Sequence, residues 1–177
     1  TTRSTSTKFA SPKSADSHLL RTRLLQQMAQ TDTTRLILIR AAAGFGKTTL
    51  MQQYRECRLR EGVHVLWVNL ELADNDLQGF VSLLNNGLRE VLPQPIDADS
   101  IGGQPAALAL IELIATCTLP FAILLDEVEV LQNPEVLDFL QQLVDQLPPG
   151  GVVVMASRAT PGIGLGRIRA RGQLLEI

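Results

Sequence analysis

Residues 40–49 read Arg-Ala-Ala-Ala-Gly-Phe-Gly-Lys-Thr-Thr, and they lie between the apolar run Leu36–Ile39 and an amphipathic segment that begins near Leu50. Small residues allow successive backbone N–H groups to turn towards an anion, and a helix start beside them also favours negative charge. The pattern is therefore typical of a phosphate-binding loop. In this interpretation Lys47 contacts the β- and γ-phosphates of a nucleotide, and the Thr48 hydroxyl ligates magnesium.

The loop departs from the usual pattern at its first position. G-x-x-x-x-G-K-[ST] begins with glycine, whereas this chain has Ala41. Alanine does not readily adopt a positive φ, so the loop must begin in an ordinary backbone region. The structural alternative is a plain glycine turn followed by a surface lysine. The residues expected around the phosphates are Ala43, Gly44, Phe45, Gly46, Lys47, Thr48 and Thr49.

Composition limits the possible functions. The chain has 177 residues, of which 45% are hydrophobic, and its formal net charge is −2. These values fit one α/β domain with a sizeable core, and the charge gives no indication of nucleic-acid binding. Two isolated cysteines indicate neither a disulfide framework nor a zinc site. We expect a soluble, cytoplasmic protein, because no signal peptide is evident and the apolar segment 106–125 fits a helix followed by a strand better than a membrane span.

The N-terminal residues differ in composition from the rest of the chain. Residues 1–17 are rich in Ser, Thr and Lys, and we expect them to form a flexible arm with weak intrinsic order. Residues 18–177 are expected to form one nucleotide-binding domain. Within it, apolar residues recur at helical spacing over 19–28, which predicts a short helix. The chain stops inside a predicted strand at 173–177, so we expect it to be part of a longer protein.

Apolar strands and amphipathic helices alternate along the chain. The continuous apolar runs at 36–41, 63–70, 121–125 and 152–156 predict buried strands of a parallel sheet whose two faces are covered by helices. Two segments interrupt this pattern. A loop is predicted at 93–104, and a glycine-containing link that carries Arg167, Arg169 and Arg171 is predicted before the last strand.

Polar residues follow two of the predicted strands. Asp126 and Glu127 end one apolar run, and Arg158 follows the next. Strands of a parallel sheet present their carboxyl ends at one edge, where ligands bind. We expect Asp126 to hold magnesium through a water and Glu127 to orient and polarise an attacking water. Arg158 is a candidate sensor of the γ-phosphate. The alternative is that the two acids begin a solvated turn and that Arg158 is a solvated strand end.

Together these motifs resemble the nucleotide-binding domain of large LuxR-type, MalT-like bacterial transcription activators within the STAND class of signalling ATPases. The resemblance is carried by the segments 41–49, 67–80, 125–127 and 156–176. It implies an α/β P-loop NTPase fold, a three-layer sandwich whose parallel five-stranded sheet has the order 5-1-4-3-2. It also implies that ATP or ADP binds with Mg²⁺ and that Leu20 and Arg21 lie over the adenine and ribose.

The same resemblance implies a nucleotide-controlled switch. A resting monomer that holds ADP would exchange its nucleotide, self-associate in the ATP state and hydrolyse ATP slowly, while DNA would be contacted only through a C-terminal domain absent from this chain. The family usually has Asp-Asp where this chain has Asp126-Glu127. An N-K-x-D guanine signature is absent from the sequence, which disfavours a GTPase. Two alternatives remain open, a small-molecule kinase and a nucleotide-gated interaction module with negligible turnover.

Overall fold

The structure is a computed structural model that describes residues 8–10, 21–29, 32–93 and 105–177. Helices and strands alternate through these residues as the apolar pattern predicts. The helices are α1 (Thr22–Ala29), α2 (Lys47–Arg60), α3 (Leu77–Val91), α4 (Ala106–Ala115), α5 (Pro134–Asp145) and α6 (Leu165–Ala170). The strands are β1 (Leu36–Arg40), β2 (His64–Asn69), β3 (Phe121–Asp126), β4 (Gly151–Ser157) and β5 (Leu174–Glu176). The loop predicted at 93–104 lies almost wholly outside the described residues.

The five strands form one parallel sheet in the order β2-β3-β4-β1-β5. Read from the other edge, this is the predicted order 5-1-4-3-2, which is confirmed. Strand β4 pairs with both β1 and β3, with Leu38 opposite Met155 and Met155 opposite Leu125. The carboxyl ends of β1, β4 and β3 are therefore neighbours, and the loops that follow them share one edge of the sheet.

Helices cover both faces of the sheet because its central strands are apolar on both sides. Strand β3 shows the alternation: Phe121, Ile123 and Leu125 join one buried cluster, whereas Ala122 and Leu124 join the other. Helices α3, α4, α5 and α6 contribute to the first cluster, and α1 and α2 contribute to the second. The predicted three-layer sandwich is confirmed.

The apolar segment 106–125 divides as predicted into helix α4 and strand β3. Pro105 immediately precedes α4, and its fixed φ of −56° is compatible with a helix start. The strand begins after Pro120, and all six of its residues are buried. Within the described residues no helix is long and apolar enough to span a membrane.

The prediction of an irregular link around Arg167–Arg171 is wrong for its first part, because Arg167 and Arg169 lie on helix α6. This helix is short and contains Gly166, so its local sequence gives little indication of helix. Its stability comes from tertiary contacts: Leu165 and Ile168 are buried in the core, and Arg169 pairs with Glu176 of β5 at 2.8 Å.

The three described residues of the N-terminal segment contact the free edge of β2. The carbonyl oxygen of Lys8 accepts a hydrogen bond from the Asn69 backbone N–H at 3.1 Å, and the Asn69 side chain donates to the carbonyl of Ala10 at 3.1 Å. The Lys8 ammonium pairs with the buried carboxylate of Asp74. Phe9 packs on the first core cluster. These contacts give main-chain and apolar partners to the edge strand β2. Without them, main-chain groups and apolar surface at this edge would be exposed.

Candidate phosphate-binding site

The loop between β1 and α2 has the backbone geometry of an anion cradle. Gly44 and Gly46 adopt left-handed conformations with φ of 82° and 79°, which glycine reaches without a steric penalty. Helix α2 begins at Lys47, directly after Gly46, and has no side-chain cap and no acidic residue in its first turn. Its first backbone N–H groups are therefore free to receive a negatively charged group.

Lys47 lies over this loop rather than in solvent. Its side chain is buried, and its ammonium donates to the carbonyl oxygens of Ala41 at 2.7 Å and Ala42 at 3.1 Å. Among the described residues, Glu127 is the only non-glycine residue with a positive φ. Ala41 therefore begins the loop in an ordinary backbone region, as its side chain requires.

Thr48 and Asp126 bring two oxygen groups together beside the loop. The Thr48 hydroxyl donates to Oδ2 of Asp126 at 2.8 Å, and Oδ1 of Asp126 accepts from the Glu127 backbone N–H at 3.0 Å. Hard oxygen donors of this kind suit Mg²⁺, which usually takes one or two protein ligands and completes its shell with phosphate oxygens and water. The described residues contain no group of three or more His, Cys, Asp or Glu that could hold a metal without such help.

Glu127 follows Asp126 at the end of β3 in a conformation that is unusual for its residue type. Its φ is 61° and its ψ is 42°, and a left-handed conformation costs a non-glycine residue about 1–2 kcal/mol. Strain of this kind concentrates at functional sites. The side chain lines the same cleft as the phosphate-binding loop, where a carboxylate can accept a proton from water.

Arg158 follows β4 and forms ion pairs with two acids. Its Nη2 atom lies 3.2 Å from Oε2 of Glu127, and its Nε atom lies 3.2 Å from Oε1 of Glu129. Sequence reasoning missed Glu129. The available signal was the run Asp-Glu-Val-Glu at 126–129, which places a third acid in the turn after the strand.

The two glutamates have pKa values that are displaced in opposite directions. Partial burial, a hydrogen bond from Glu127 to Glu129 and the charge of Glu129 raise the pKa of Glu127, and Arg158 offsets only part of this rise. Burial also opposes ionisation of Glu129, yet the pKa of Glu129 is lowered because its carboxylate accepts hydrogen bonds, including those from its own backbone N–H and from Glu127. Of the two carboxyl groups, Glu127 is therefore the more readily protonated.

The predicted residues enclose a cleft of about 280 Å³ at the carboxyl edge of the sheet. Its lining consists of Ala43, Gly44, Gly46, Lys47, Thr48, Thr49, Glu127 and Arg158. Phe45 lies at the tip of the loop with 69% of its surface exposed. The guanidinium of Arg21 donates to the carbonyl oxygens of Phe45 and Gly46, each at 3.2 Å, so Arg21 lies against the loop. Leu20 falls outside the described residues.

Known proteins are similar to this chain in two ways, some in amino-acid sequence and others in fold. No model of a known protein family matches the chain. The HTH-type transcriptional regulators MalT from two strains of Klebsiella pneumoniae are each 29% identical over 180 aligned residues, which cover 96% of this chain. The chain spans only 19% of the length of these relatives.

Solved structures with low sequence identity share the fold. Cdc6p from Pyrobaculum aerophilum superimposes with a TM-score of 0.61 at 16% identity, covering 94% of this chain and 46% of that one. DnaA from Aquifex aeolicus, bound to AMPPCP, gives 0.53 at 19% identity, covering 88% and 44%. The parallel five-stranded sheet and its strand order are those of the P-loop NTPase fold. The chain is therefore similar in sequence to part of the MalT regulators, and it has the fold of a P-loop NTPase.

Proposed function

We propose that this chain is the ATP- and ADP-binding switch domain of a cytoplasmic bacterial LuxR-type transcription activator. The observation that carries the proposal is the convergence of four features in one cleft: the phosphate-binding loop with Lys47, the Thr48–Asp126 pair, Glu127, and Arg158. Adenine nucleotides are favoured because the guanine signature is absent from the sequence. The similar DnaA structure contains AMPPCP, which supports the choice of nucleotide.

Binding rests on the loop and on helix α2. The first N–H groups of α2 and the Lys47 ammonium together offer positive charge to the β- and γ-phosphates. In the structure Lys47 donates to loop carbonyls, so it must exchange these neutral partners for phosphate oxygens. Phosphate oxygens carry negative charge and carbonyl oxygens do not, so the ammonium is attracted more strongly to phosphate, and this exchange favours the bound state. Arg21, which contacts the loop, would lie over the adenine and ribose of the bound nucleotide.

Hydrolysis rests on the acids and on Arg158. Thr48 and Asp126 would hold Mg²⁺, whose charge neutralises the phosphates and aids their transfer. Glu127 would orient a water and accept its proton, and its raised pKa favours that proton acceptance. Arg158 would stabilise charge on the γ-phosphate. Each residue lies at the carboxyl edge of the sheet, next to the loop.

A second version of the proposal is a nucleotide-gated interaction module with negligible turnover. The ion pairs of Arg158 favour it, since the guanidinium is engaged by Glu127 and Glu129 instead of pointing freely into the cleft. In both versions the switch depends on ATP and ADP binding two conformations with different affinities. The two versions of the proposal, a slow ATPase and a module with negligible turnover, differ in how often the ion pair between Arg158 and Glu127 opens.

A small-molecule kinase receives less support. Kinases of this kind use an arginine-bearing lid, and the candidates were Arg167, Arg169 and Arg171. In the structure Arg167 and Arg171 pair with Asp145, and Arg169 pairs with Glu176. These three guanidinium groups therefore contribute to packing of α6 against α5 and β5.

Regulation and DNA contact are further parts of the proposal. The MalT relatives are named HTH-type transcriptional regulators, and the chain corresponds to a fifth of their length. We assign sequence-specific DNA contact to another part of the parent protein, and self-association to its ATP state. The isolated chain, with a net charge of −2, is expected to give no specific shift of promoter DNA at physiological salt.

Calorimetric titration with ATP and with ADP, each with Mg²⁺, tests the proposal. Lys47→Ala should reduce the affinity for both nucleotides by at least about tenfold, because it removes the main phosphate-binding charge. Arg60→Ala is the matched control, since this exposed arginine lies at the far end of the same helix. Unchanged binding by the Lys47 variant would refute the assignment.

A further inference from the structure

We propose that Glu129 is a positioning residue that restrains Arg158 while no γ-phosphate is present, and that it thereby sets the preference of the site for ATP over ADP. This inference rests on the proposed function, because it assumes that the cleft binds both nucleotides. It concerns an acid outside the predicted set of site residues.

Glu129 contacts Arg158 at two points. Oε2 accepts a hydrogen bond from the Arg158 backbone N–H at 3.3 Å, and Oε1 lies 3.2 Å from Nε of the guanidinium. The first contact fixes the carboxylate relative to the end of β4. The second holds the inner part of the guanidinium, while Nη2 is left to Glu127. Glu129 therefore limits how far Arg158 can turn towards the phosphate-binding loop.

The two partners differ in their freedom to move. About half of the Arg158 side chain is exposed, whereas about a fifth of the Glu129 side chain is. Glu129 lies in the 3₁₀ turn Val128–Val130, and Val128 is buried in the core. If the ion pair opens, Arg158 moves and Glu129 stays in place.

Oε1 of Glu129, the oxygen that faces the guanidinium, is buried and accepts no hydrogen bond of good geometry. The carboxylate as a whole also accepts hydrogen bonds, including those from the backbone N–H groups of Glu129 and Arg158, so the Arg158 guanidinium is one of several groups that balance its charge. A buried charge that loses its partner is unfavourable. Moving Arg158 to a γ-phosphate therefore carries a penalty that is set at Glu129.

This penalty applies to ATP and not to ADP. Only ATP presents the γ-phosphate that would recruit Arg158, whereas ADP can occupy the loop while Arg158 remains on Glu129. The ion pair thus reduces the affinity for ATP without changing the affinity for ADP. A site built in this way favours ADP in its resting state, and the strength of that bias is determined by Glu129.

The test is a double-mutant cycle on the intact chain, with Mg·ATP and Mg·ADP affinities measured by calorimetry. Glu129→Gln keeps the shape of the side chain and removes its charge. We expect it to raise the affinity ratio of ATP to ADP by about 2- to 5-fold, the range suited to a half-exposed ion pair, with little change in ADP binding. Glu129→Asp, which retains the charge on a shorter side chain, should change the ratio in the same direction but less.

The Arg158→Ala background separates positioning from a general charge effect. If Glu129 acts through Arg158, the substitution Glu129→Gln will no longer change the ratio once Arg158 is absent. Glu135→Gln, which removes a charge from the first turn of α5, should leave the ratio unchanged in either background. Fluorescence of the single Trp67 confirms that each variant is folded.

Two results would overturn the inference while leaving the proposed function intact. One is an affinity ratio that does not change, either because neither affinity changes or because ATP and ADP both bind more tightly to the same extent. The other is a change that persists in the Arg158→Ala background. By contrast, a wild-type chain that binds neither ATP nor ADP would refute the proposed function, and the inference with it.

Discussion

Glu127 combines three properties that suit a residue acting on water. It follows the buried strand β3 at the cleft, its backbone is held in a left-handed conformation, and its pKa is raised. The strain is maintained by the surrounding structure, which includes the hydrogen bond from its own N–H to Asp126. Each property is consistent with a carboxylate placed for proton transfer rather than for stability.

Replacing this carboxylate by an amide should therefore separate binding from chemistry. In Glu127→Gln we expect Mg·ATP affinity within about threefold of wild type, and single-turnover hydrolysis slower by about 100-fold or more, the range for loss of a general base. Asp138→Asn on α5 is a control for the loss of one negative charge. If Glu127→Gln hydrolyses ATP at the wild-type rate, Glu127 has no role in the chemistry.

Tyr54 allows a pH prediction that does not depend on nucleotide. It is the only tyrosine of the chain, and burial, opposed by Arg58 and reinforced by Glu61, raises its pKa to about 12. Below pH 10 both the folded and the unfolded chain keep the phenol proton. Between about pH 10 and 12 the unfolded chain loses it first, so this contribution to the free energy of unfolding falls with rising pH, by on the order of 2–3 kcal/mol in total.

Absorbance of tyrosinate near 295 nm should accordingly show ionisation centred near pH 12 in the folded chain and near pH 10 in urea. The free energy of unfolding should be measured by urea unfolding at each pH for wild type and for Tyr54→Phe. Between about pH 10 and 12 the value for wild type should fall relative to that of the variant. A native titration centred at pH 10 would show that the hydroxyl is not buried.

Sequence reasoning found the site residues that are close to a motif and missed those that depend on distant contacts. Lys47, Asp126 and Glu127 were predicted because a loop pattern and a strand end fix their places along the chain. Glu129 was missed because its partner Arg158 is 29 positions away. Arg21 was named only through the family resemblance, as a residue over the adenine and ribose. Its contact with the loop carbonyls, 24 and 25 positions away, leaves no signature in the sequence because the partners are backbone atoms.

Asn75 connects two loops at the carboxyl edge of the sheet. Its side-chain oxygen accepts hydrogen bonds from the backbone N–H groups of Gln132 at 2.9 Å and Asn133 at 2.8 Å. Asp76 caps helix α3 by accepting a hydrogen bond from the Gly79 N–H. Asn75 is therefore left to hold the segment that follows the acidic turn at residues 127–129.

Asn75→Ala should both destabilise the chain and alter the site. Two N–H groups lose their acceptor, which we expect to lower the free energy of unfolding by about 1–2 kcal/mol. Because this segment directly follows the turn that carries Glu127 and Glu129, the ATP to ADP affinity ratio should also change. Asp76→Ala should lower stability by about 1 kcal/mol through loss of its cap and leave the ratio unchanged. Identical effects of the two substitutions on the ratio would show that Asn75 does not hold the acidic turn.

The helices and strands were predictable where local pattern and burial agree. Strands β1, β3 and β4 are covered on both faces, so continuous apolar runs specify them. The sequence pattern did not predict helix α6, because the helix is stabilised by contacts with residues that are distant in the sequence. Its Leu165 and Ile168 pack into the core, and its Arg167 pairs with Asp145. A six-residue helix with an internal glycine has too little intrinsic propensity to be recognised.

The sheet as a whole has one edge at β2, and the chain itself partly covers it. A free edge strand exposes unpaired main-chain groups and invites pairing with other chains. Here Lys8 and Ala10 provide carbonyl acceptors for Asn69, and Phe9 lies against Gly87 of α3. These contacts join the N-terminal segment to the fold more than 50 positions further along the chain.

Two truncations measure the contribution of this contact. A chain lacking residues 1–10 loses Lys8, Phe9 and Ala10, whereas a chain lacking residues 1–7 keeps them, so the difference between the two isolates these three residues. We expect the longer truncation to be less stable by on the order of 2 kcal/mol, from one main-chain hydrogen bond and partial burial of an aromatic ring. Urea unfolding followed by the fluorescence of Trp67, whose indole donates to Asn69, reports on the same region. Because the edge of β2 would then be exposed, the longer truncation should also associate more at high concentration in sedimentation. Equal urea midpoints for the two truncations would show that residues 8–10 do not stabilise the fold.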